Sequence, residues 1–348
     1  MRNYTNHLII SKSSIREALT QLNKLAKDAI LFIVTEEGVL IGSLTDGDVR
    51  RGLLKGVSID NNVNLIIQPN PRFIKKGERD LKKVIKYRDE NFKVLPVINH
   101  ENKVVNVINF RFLRSYLPVD VVVMAGGRGT RLHPLTDAIP KPLLKVGSKP
   151  IMEHNVDRLA LYGIDDFWFS VKYLGEQIES YFGNGKEKNL NIDYVWENEP
   201  LGTIGSVSKI KNFKHDHVLV TNSDILTNLD YEAFYLDFVN KDADFAVATI
   251  PYNVHIPYAV LETKDSQIID FKEKPDYTYY SNGGIYLIKR DILSYIPKDT
   301  FFNATDLMER LIKENKNVIS YPLTGYWLDV GKHEDFAKAQ LDIVNIKF

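Results

Sequence analysis

The chain of 348 residues carries 44% hydrophobic and 26% charged residues, the usage of an ordinary globular protein, and it is longer than one hydrophobic core serves, so two domains are expected. Lys plus Arg and Asp plus Glu stand at 45 each, which excludes a global field for nucleic acid or an anionic membrane and makes any anion site local. Without cysteine there are no disulfides, thiolate metal sites or cysteine nucleophiles; no apolar run approaches the ~18 residues of a membrane span, and the polar start Met1 to His7 opens no signal core, so a cytoplasmic protein with neither nucleic acid nor membrane as partner is expected.

The first third, residues 1 to 118, reads as an internal repeat. Each half has a helical stretch, a strand, a turn, a second strand and a closing helix. Ser13 to Leu25 sets Ile15, Leu19, Leu22 and Leu25 at helical spacing, and Ile30 to Val34 and Val39 to Leu44 follow as strands around the Glu37-Gly38 turn. In the second half Leu81 to Tyr87 is the helix, and Val94 to Ile98 and Val104 to Ile108 are the strands. Arg50 to Leu54 and Phe112 to Tyr116 are expected to continue the two closing helices.

Pro118 interrupts the repeat, and the apolar run Val119 to Met124 has the character of a strand buried on both faces, which places a domain boundary there. From residue 119 to 348 strands alternate with helices. Phe167 to Val171, His217 to Thr221 and Phe245 to Ile250 are strand-like; Ile151 to Tyr162, capped by Gly163, and Tyr231 to Asn240 are helix-like. The expected fold is α/β, doubly wound, with a mixed sheet.

The buried strand runs into Ala125-Gly126-Gly127-Arg128-Gly129-Thr130-Arg131-Leu132, whose glycines let backbone N–H groups approach an anion without Cβ interference. A Walker loop requires Gly-Lys-Ser/Thr after four spacers, which is absent; a dinucleotide fingerprint from Gly127 requires Gly or Ala at 132, which is Leu. Downstream, Pro140-Lys141-Pro142-Leu143 fixes a lysine between two prolines that restrict its backbone. Alone it would read as a solvated surface lysine; beside the glycine loop it reads as part of a phosphate site.

The run Gly-Gly-x-Gly-Thr-Arg-Leu, then Pro-Leu-Thr and Lys-Pro-Leu, resembles the sugar-phosphate nucleotidyltransferase family. The resemblance continues through Glu199 to Thr203, Asn222-Ser223-Asp224, Glu273-Lys274-Pro275, Asn282 to Tyr286 and Trp327 to Gly331. It implies a Rossmann-like domain that makes a nucleotide sugar and pyrophosphate from an NTP and a sugar 1-phosphate. Because the attacking phosphate is already an anion, this in-line displacement calls for cations and alignment rather than a covalent intermediate. The resemblance places Arg131 on the leaving pyrophosphate, Lys141 on the transferring phosphate and Lys274 on the sugar phosphate. It assigns Mg²⁺ to Asp224 and Asp329, since hard cations take oxygen ligands. Ala125, Gly126, Gly127, Gly129, Thr130, Gly202 and Thr203 would surround the nucleotide; Glu273, Asn282, Gly283 and Gly284 would line the sugar. Taken singly, Asn-Ser-Asp at 222–224 is also good turn chemistry, Asn282-Gly283-Gly284 also suits a hairpin, and Tyr326 and Trp327 suit a core. The run Pro-Leu-Gly-Thr at 200–203 resembles guanylyltransferases of mannose, heptose and glucosamine 1-phosphates, so GTP is the favoured donor.

In the front third, Gly42-Ser43-Leu44-Thr45-Asp46-Gly47-Asp48 resembles the ribose-and-phosphate signature of the cystathionine-β-synthase (CBS) domain, a regulatory module that occurs in tandem. Thr45 and Asp48 would then hold an adenosine-type regulatory nucleotide; otherwise Thr45 and Asp46 cap a helix. An offset of 63 residues sets Val105, Ile108 and Arg111 against Gly42, Thr45 and Asp48, so the second half lacks the pair. Such modules imply a homo-oligomer. Two rivals remain: a phosphocholine-type cytidylyltransferase, disfavoured by the Glu273 and Asn282 motifs, and a non-catalytic nucleotide sensor, disfavoured by the intact set of Arg131, Lys141, Asp224, Lys274 and Asp329.

Overall fold

A computed structural model describes residues 4–76 and 81–346. The chain forms two compact units: Met1–Pro118 with Ala160–Asp165 and Gly185–Leu190, and the remaining residues. The two short segments, placed beyond the boundary by the sequence reading, thus belong to the first unit.

In the first unit, β1 (Leu8–Ile10), α1 (Ile15–Leu25), β2 (Ile30–Val34), β3 (Leu40–Thr45), α2 (Asp46–Leu54) and β4 (Gln68–Pro69) make one half, with sheet order β1-β2-β3-β4. α1 starts where it does because the Ser14 side chain accepts from Glu17 N while Glu17 accepts from Ser14 N, and it buries Ile15, Ala18, Leu22 and Leu25. The second half holds β5 (Ile74–Lys75), α3 (Leu81–Asp89), β6 (Val94–Ile98) and β7 (Val104–Asn109).

The two hairpins repeat residue for residue. Ile30 pairs with Thr45 and Val94 with Asn109, and each hairpin has a register irregularity at the same place, Ile33/Val34 and Val97/Ile98. The bulges fix the offset at 94 − 30 = 64 residues, which corrects the 63 read from the sequence. Asn106, Asn109 and Phe112 therefore stand at the positions of Gly42, Thr45 and Asp48. The hairpin tips meet by paired main-chain bonds, Leu40 N to Asn102 O and Val104 N to Gly38 O, both 3.0 Å, which are exchanged by the same offset. That is a local two-fold.

The second closing helix does not form. Phe112 N and Leu113 N both donate to Asn109 O, making a single turn, after which Arg114 N donates to Leu161 O (2.6 Å) and Leu117 N to Tyr162 O (2.9 Å). Donors that a helix would have turned back on its own carbonyls are taken by the 160–165 segment.

The second unit contains β8 (Asp120–Ala125), the hairpin β9 (Lys145–Val146) and β10 (Lys149–Pro150), α4 (Ile151–Leu161, whose residues from Ala160 on belong to the first unit), β11 (Asp166–Val171), α5 (Gly175–Phe182), β12 (Asn191–Trp196), β13 (His217–Asn222), β14 (Ile225–Thr227), α6 (Tyr231–Asn240), β15 (Phe245–His255), β16 (Val260–Lys264), β17 (Gln267–Lys272), β18 (Asp276–Lys289), α7 (Ala304–Lys313), β19 (Val318–Pro322), β20 (Trp327–Asp329) and α8 (His333–Asp342). Its seven-stranded sheet has the order β12-β11-β8-β13-β18-β15-β19. The first four strands are mutually parallel, and β18 runs antiparallel to both neighbours. Val121, Val122 and Val123 of β8 are at most 0% exposed, as a central strand covered on both faces requires. The sheet is mixed, as expected. Among the parallel strands the first and fourth in chain order, β8 and β13, lie side by side, and the chain leaves them in opposite directions across the sheet; their carboxyl ends form the crevice where open α/β sheets bind ligands.

Candidate active site

The glycine loop leaves the end of β8 and closes in a 3₁₀ turn at Thr130–Leu132, not in an α-helix. Gly129 takes φ +64°, and a Cβ there would stand 3.0 Å from both Lys141 Cβ and Thr136 Cγ2. Its glycine is required twice over, by conformation and by space. Gly127 meets nothing within 4 Å of a Cβ. Thr136 Oγ1 donates to Gly129 O (3.0 Å), tying the loop's two ends.

Lys141 is not a surface lysine. It is 8% exposed, opens the 3₁₀ turn Lys141–Leu143, and donates from Nζ to Asp224 Oδ2, with Asp329 Oδ1 at 3.9 Å. The two acids come together because β14 pairs with β20, Ile225 opposite Asp329, and Val330 N donates to Asp224 O at 3.0 Å. Asp224 follows the turn after β13, which Ser223 N anchors to Met124 O of β8 (3.1 Å). The turn chemistry of Asn222-Ser223-Asp224 is thus real and also aims the acid. Arg131 completes the cluster: a Cβ on Gly331 would lie 3.3 Å from its guanidinium.

Asp224 Oδ1 and Asp329 Oδ1 are both buried without a hydrogen-bond partner. Burial, then the neighbouring Asp224 carboxylate, pushes the Asp329 carboxyl above its ordinary range against the pull of Lys141 and Arg131. Two orphaned carboxylate oxygens in one crevice fit a hard divalent cation such as Mg²⁺.

The predicted sugar residues divide. Asn282, Gly283 and Gly284 lie inside β18 rather than in a hairpin turn. There the ladder slips, Val247 facing Tyr286 while Thr249 faces Asn282, so the segment bulges. Asn282 Oδ1 accepts from Gly284 N (2.9 Å), Trp327 Nε1 donates to Gly283 O (2.9 Å), and Gly284, at φ +69°, leaves no room for a Cβ beside Asn222. The bulge therefore abuts the strand end that carries Asp224. Glu273 and Lys274 sit exposed between β17 and β18, and no contact brings them to the acids.

Gly202 and Thr203 serve the start of α7. Thr203 N donates to Asn303 Oδ1 (3.2 Å), Thr203 Oγ1 accepts from Ala304 N (2.9 Å), and Gly202 at φ +77° would clash with Phe302 O if it bore a Cβ. Sequence reasoning missed Glu197. It is 8% exposed, accepts from Ser170 Oγ (2.5 Å) and Leu201 N (3.0 Å), and lies 3.3 Å from where a Gly126 Cβ would be. It thus braces both the glycine loop and the Leu201-Gly202 turn. Its only sequence signal is an acid where β12 meets Pro-Leu-Gly.

In the first unit, the Asp48 carboxylate is fully engaged: Oδ2 accepts from Thr45 N (2.9 Å) and Thr45 Oγ1 (2.7 Å), Oδ1 from Arg51 Nη2 (2.5 Å) and Gln68 Nε2 (2.8 Å). Thr45 caps α2 in return. Thr45 and Asp48 thus form a capping box, so the cap expected of Thr45 with Asp46 is closed by Asp48 instead.

The family model for nucleotidyl transferases matches residues 120–345. A mannose-1-phosphate guanylyltransferase of Mycobacterium tuberculosis is 31% identical over 233 residues, covering 65% of this chain and 65% of that protein. A D-glycero-alpha-D-manno-heptose 1-phosphate guanylyltransferase of Aneurinibacillus thermoaerophilus is 29% identical over 228 residues, covering 65% of this chain and 98% of that one. Among solved structures, HddC from Yersinia pseudotuberculosis complexed with GMP-PN superposes with a TM-score of 0.51 at 26% identity, covering 65% of this chain and 99% of that one. Among the described residues no helix is long and apolar enough to cross a membrane. From the strand β8 onward, the chain belongs to the nucleotidyl transferase family.

Proposed function

We propose that the second unit is a sugar-1-phosphate guanylyltransferase: an oxygen of the sugar 1-phosphate attacks the α-phosphorus of GTP in line, the bond to the bridging oxygen breaks, and pyrophosphate leaves. The observation that carries the reading is the cluster at the ends of β8 and β13, where Lys141 is buried against Asp224 and Asp329 and each acid keeps a buried unpartnered oxygen. Mg²⁺ held by Asp224 and Asp329 would neutralise phosphate charge as the pyrophosphate separates. Lys141 orients the α-phosphate, Arg131 holds the departing β- and γ-phosphates, and the main-chain N–H groups around Gly126 and Gly127 receive the nucleotide. The Asn282 bulge offers an amide and main-chain groups to the sugar. Lys274 reaches the sugar phosphate only if the exposed turn between β17 and β18 folds inward on binding.

Guanine is favoured because the heptose relative, matched over nearly its whole length, is a guanylyltransferase, and because the complex with GMP-PN shares the fold. Pyrophosphate release from GTP, UTP, CTP and dTTP against mannose, heptose and glucosamine 1-phosphates tests the reading. Release with GTP and one of these sugars supports it; release with another NTP moves the base; no release with any pair overturns the activity. The β-α-β-β repeat of the first unit supports a CBS-type regulatory module.

A further inference from the structure

Beyond Thr249, β15 pairs with β18 alone, and the two continue as a ribbon whose far end is β16 and β17. Pairing is nearly continuous along it: Tyr252 faces Tyr279, His255 faces Asp276, Ile256 N donates to Pro275 O (3.1 Å), and Val260 faces Lys272. The tip, Asp265-Ser266, has positive φ at both residues (48° and 67°), the two-residue turn whose twist suits a hairpin and fixes its register.

That register sorts the side chains. Leu261 faces Phe271, and the ladder slips between Glu262 and Thr263, so Ile268 and Ile269 together oppose Thr263 and join Leu261 and Phe271 on one face. The other face carries Glu262, Lys264, Asp270 and Lys272. Such sorting belongs to strands half buried against a second layer, yet Leu261, Ile268, Ile269 and Phe271 stand 51–62% exposed. Both strands are edges, because the sheet they form has two strands, and a hairpin of that kind is marginal in water without a cover.

Area and charge identify the cover. Tyr252, Tyr258 and Tyr279 of the same ribbon are 59–76% exposed, and with Phe271 they offer roughly 500 Å² of ring surface, at about 150–250 Å² per aromatic side chain. The three aliphatic residues raise this to about 800 Å², the share each partner gives to a standard interface, against ~300–600 Å² for the largest patch on a typical monomer. From Ile256 to Pro275 there are four acids and three lysines, so no net field selects a nucleic acid, an anionic membrane or a strongly charged protein. A second hairpin of the same kind meets both conditions, laying apolar face on apolar face about a two-fold axis that each copy satisfies with the same residues.

We propose that the β16–β17 hairpin is the interface between two copies of this chain, packed face to face through Leu261, Ile268, Ile269 and Phe271.

Because the chain has no cysteine, Phe271→Cys and Ile312→Cys each introduce a single thiol, the second on the outside of α7. Mild oxidation of the full chain at micromolar concentration is expected to link Phe271→Cys into pairs at least fivefold more than Ile312→Cys. Leu261→Asp combined with Ile268→Asp changes exposed positions and so spares the core; it is expected to halve the mass found by sedimentation equilibrium while the circular dichroism stays that of the wild type. Equal linking of the two cysteine variants, or a mass that the aspartates leave unchanged, would overturn the proposal. So would binding of single copies to phosphatidylcholine vesicles through the hairpin, which would make it a membrane surface. Protection of the hairpin amides from exchange by substrate but not by protein concentration would make it a lid, and would overturn it too.

Discussion

Replacing Asp224 by Asn separates the chemistry of the acid cluster from its part in stability. Removing the partner of a buried ion costs about 3–5 kcal/mol when nothing replaces it. Here Asp329 stays 3.9 Å from Lys141, so the ammonium keeps a carboxylate beside it and most of that penalty is not incurred. Asp329, which burial and then Asp224 hold above the ordinary carboxylate range, also ionises more readily once the Asp224 charge is gone. The net cost is about 1 kcal/mol, or about 2–4 °C in Tm for a unit of this size. Catalysis has no such substitute. On the proposed reading, halving the anionic ligands of a divalent cation would remove several kcal/mol of transition-state stabilisation, a loss of about 10³-fold in turnover. Pyrophosphate release across a Mg²⁺ titration, paired with thermal melts, reads both quantities. Wild-type turnover in the variant would refute the role of Asp224, and a Tm fall beyond about 10 °C would refute the compensation by Asp329.

Gly129→Ala forces a non-glycine residue to φ +64° and a methyl to 3.0 Å from Lys141, so kcat/KM is expected to fall at least tenfold; an unchanged kcat/KM would contradict the packing argument. Asp48→Ala removes the capping box of α2 and is expected to cost about 1–2 kcal/mol, measured as a lower urea midpoint; an unchanged midpoint would show that the cap is idle. Asp166 provides a pH test. Burial alone would raise its pKa, but the His215 ring at 3.7 Å and hydrogen bonds from Lys214 and Asn191 outweigh this and hold it well below 3.8. A depressed folded pKa means stability that is present above about pH 3.8 and lost as pH falls through the folded value, so Asp166→Asn should flatten the acid limb of Tm against pH. A limb as steep as in the wild type would place the acid sensitivity elsewhere.

Where the chain's own periodicity decided the structure, the sequence was readable. Val94 to Ile98 and Tyr231 to Asn240 match the observed elements at both ends, and the run from Val119 predicted a central strand because covering both faces leaves no polar alternation. The site was legible as far as residue types and order carry it: Arg131, Lys141, Asp224 and Asp329 do converge. What escaped depends on partners distant in sequence. Phe112 to Tyr116 has helical composition, but Leu161 and Tyr162 capture its donors. Asn282 to Gly284 has the residues of a turn, yet the ladder with β15 makes it a bulge inside a long strand. Glu197 looks like any surface acid until Ser170 and Leu201 close around it.

The joined hairpin tips of the first unit have a consequence for how a duplicated sequence ages. The bonds that register one half on the other, Leu40 to Asn102 and Val104 to Gly38, are entirely main chain. Symmetry held by amides and carbonyls makes no demand on side-chain identity, so the halves can drift apart without losing their alignment. Position 48 can remain a carboxylate tied into a helix cap while its counterpart, 112, is a phenylalanine that begins no helix. A shared frame of this kind keeps the two halves in register even where one has lost the element the other retains.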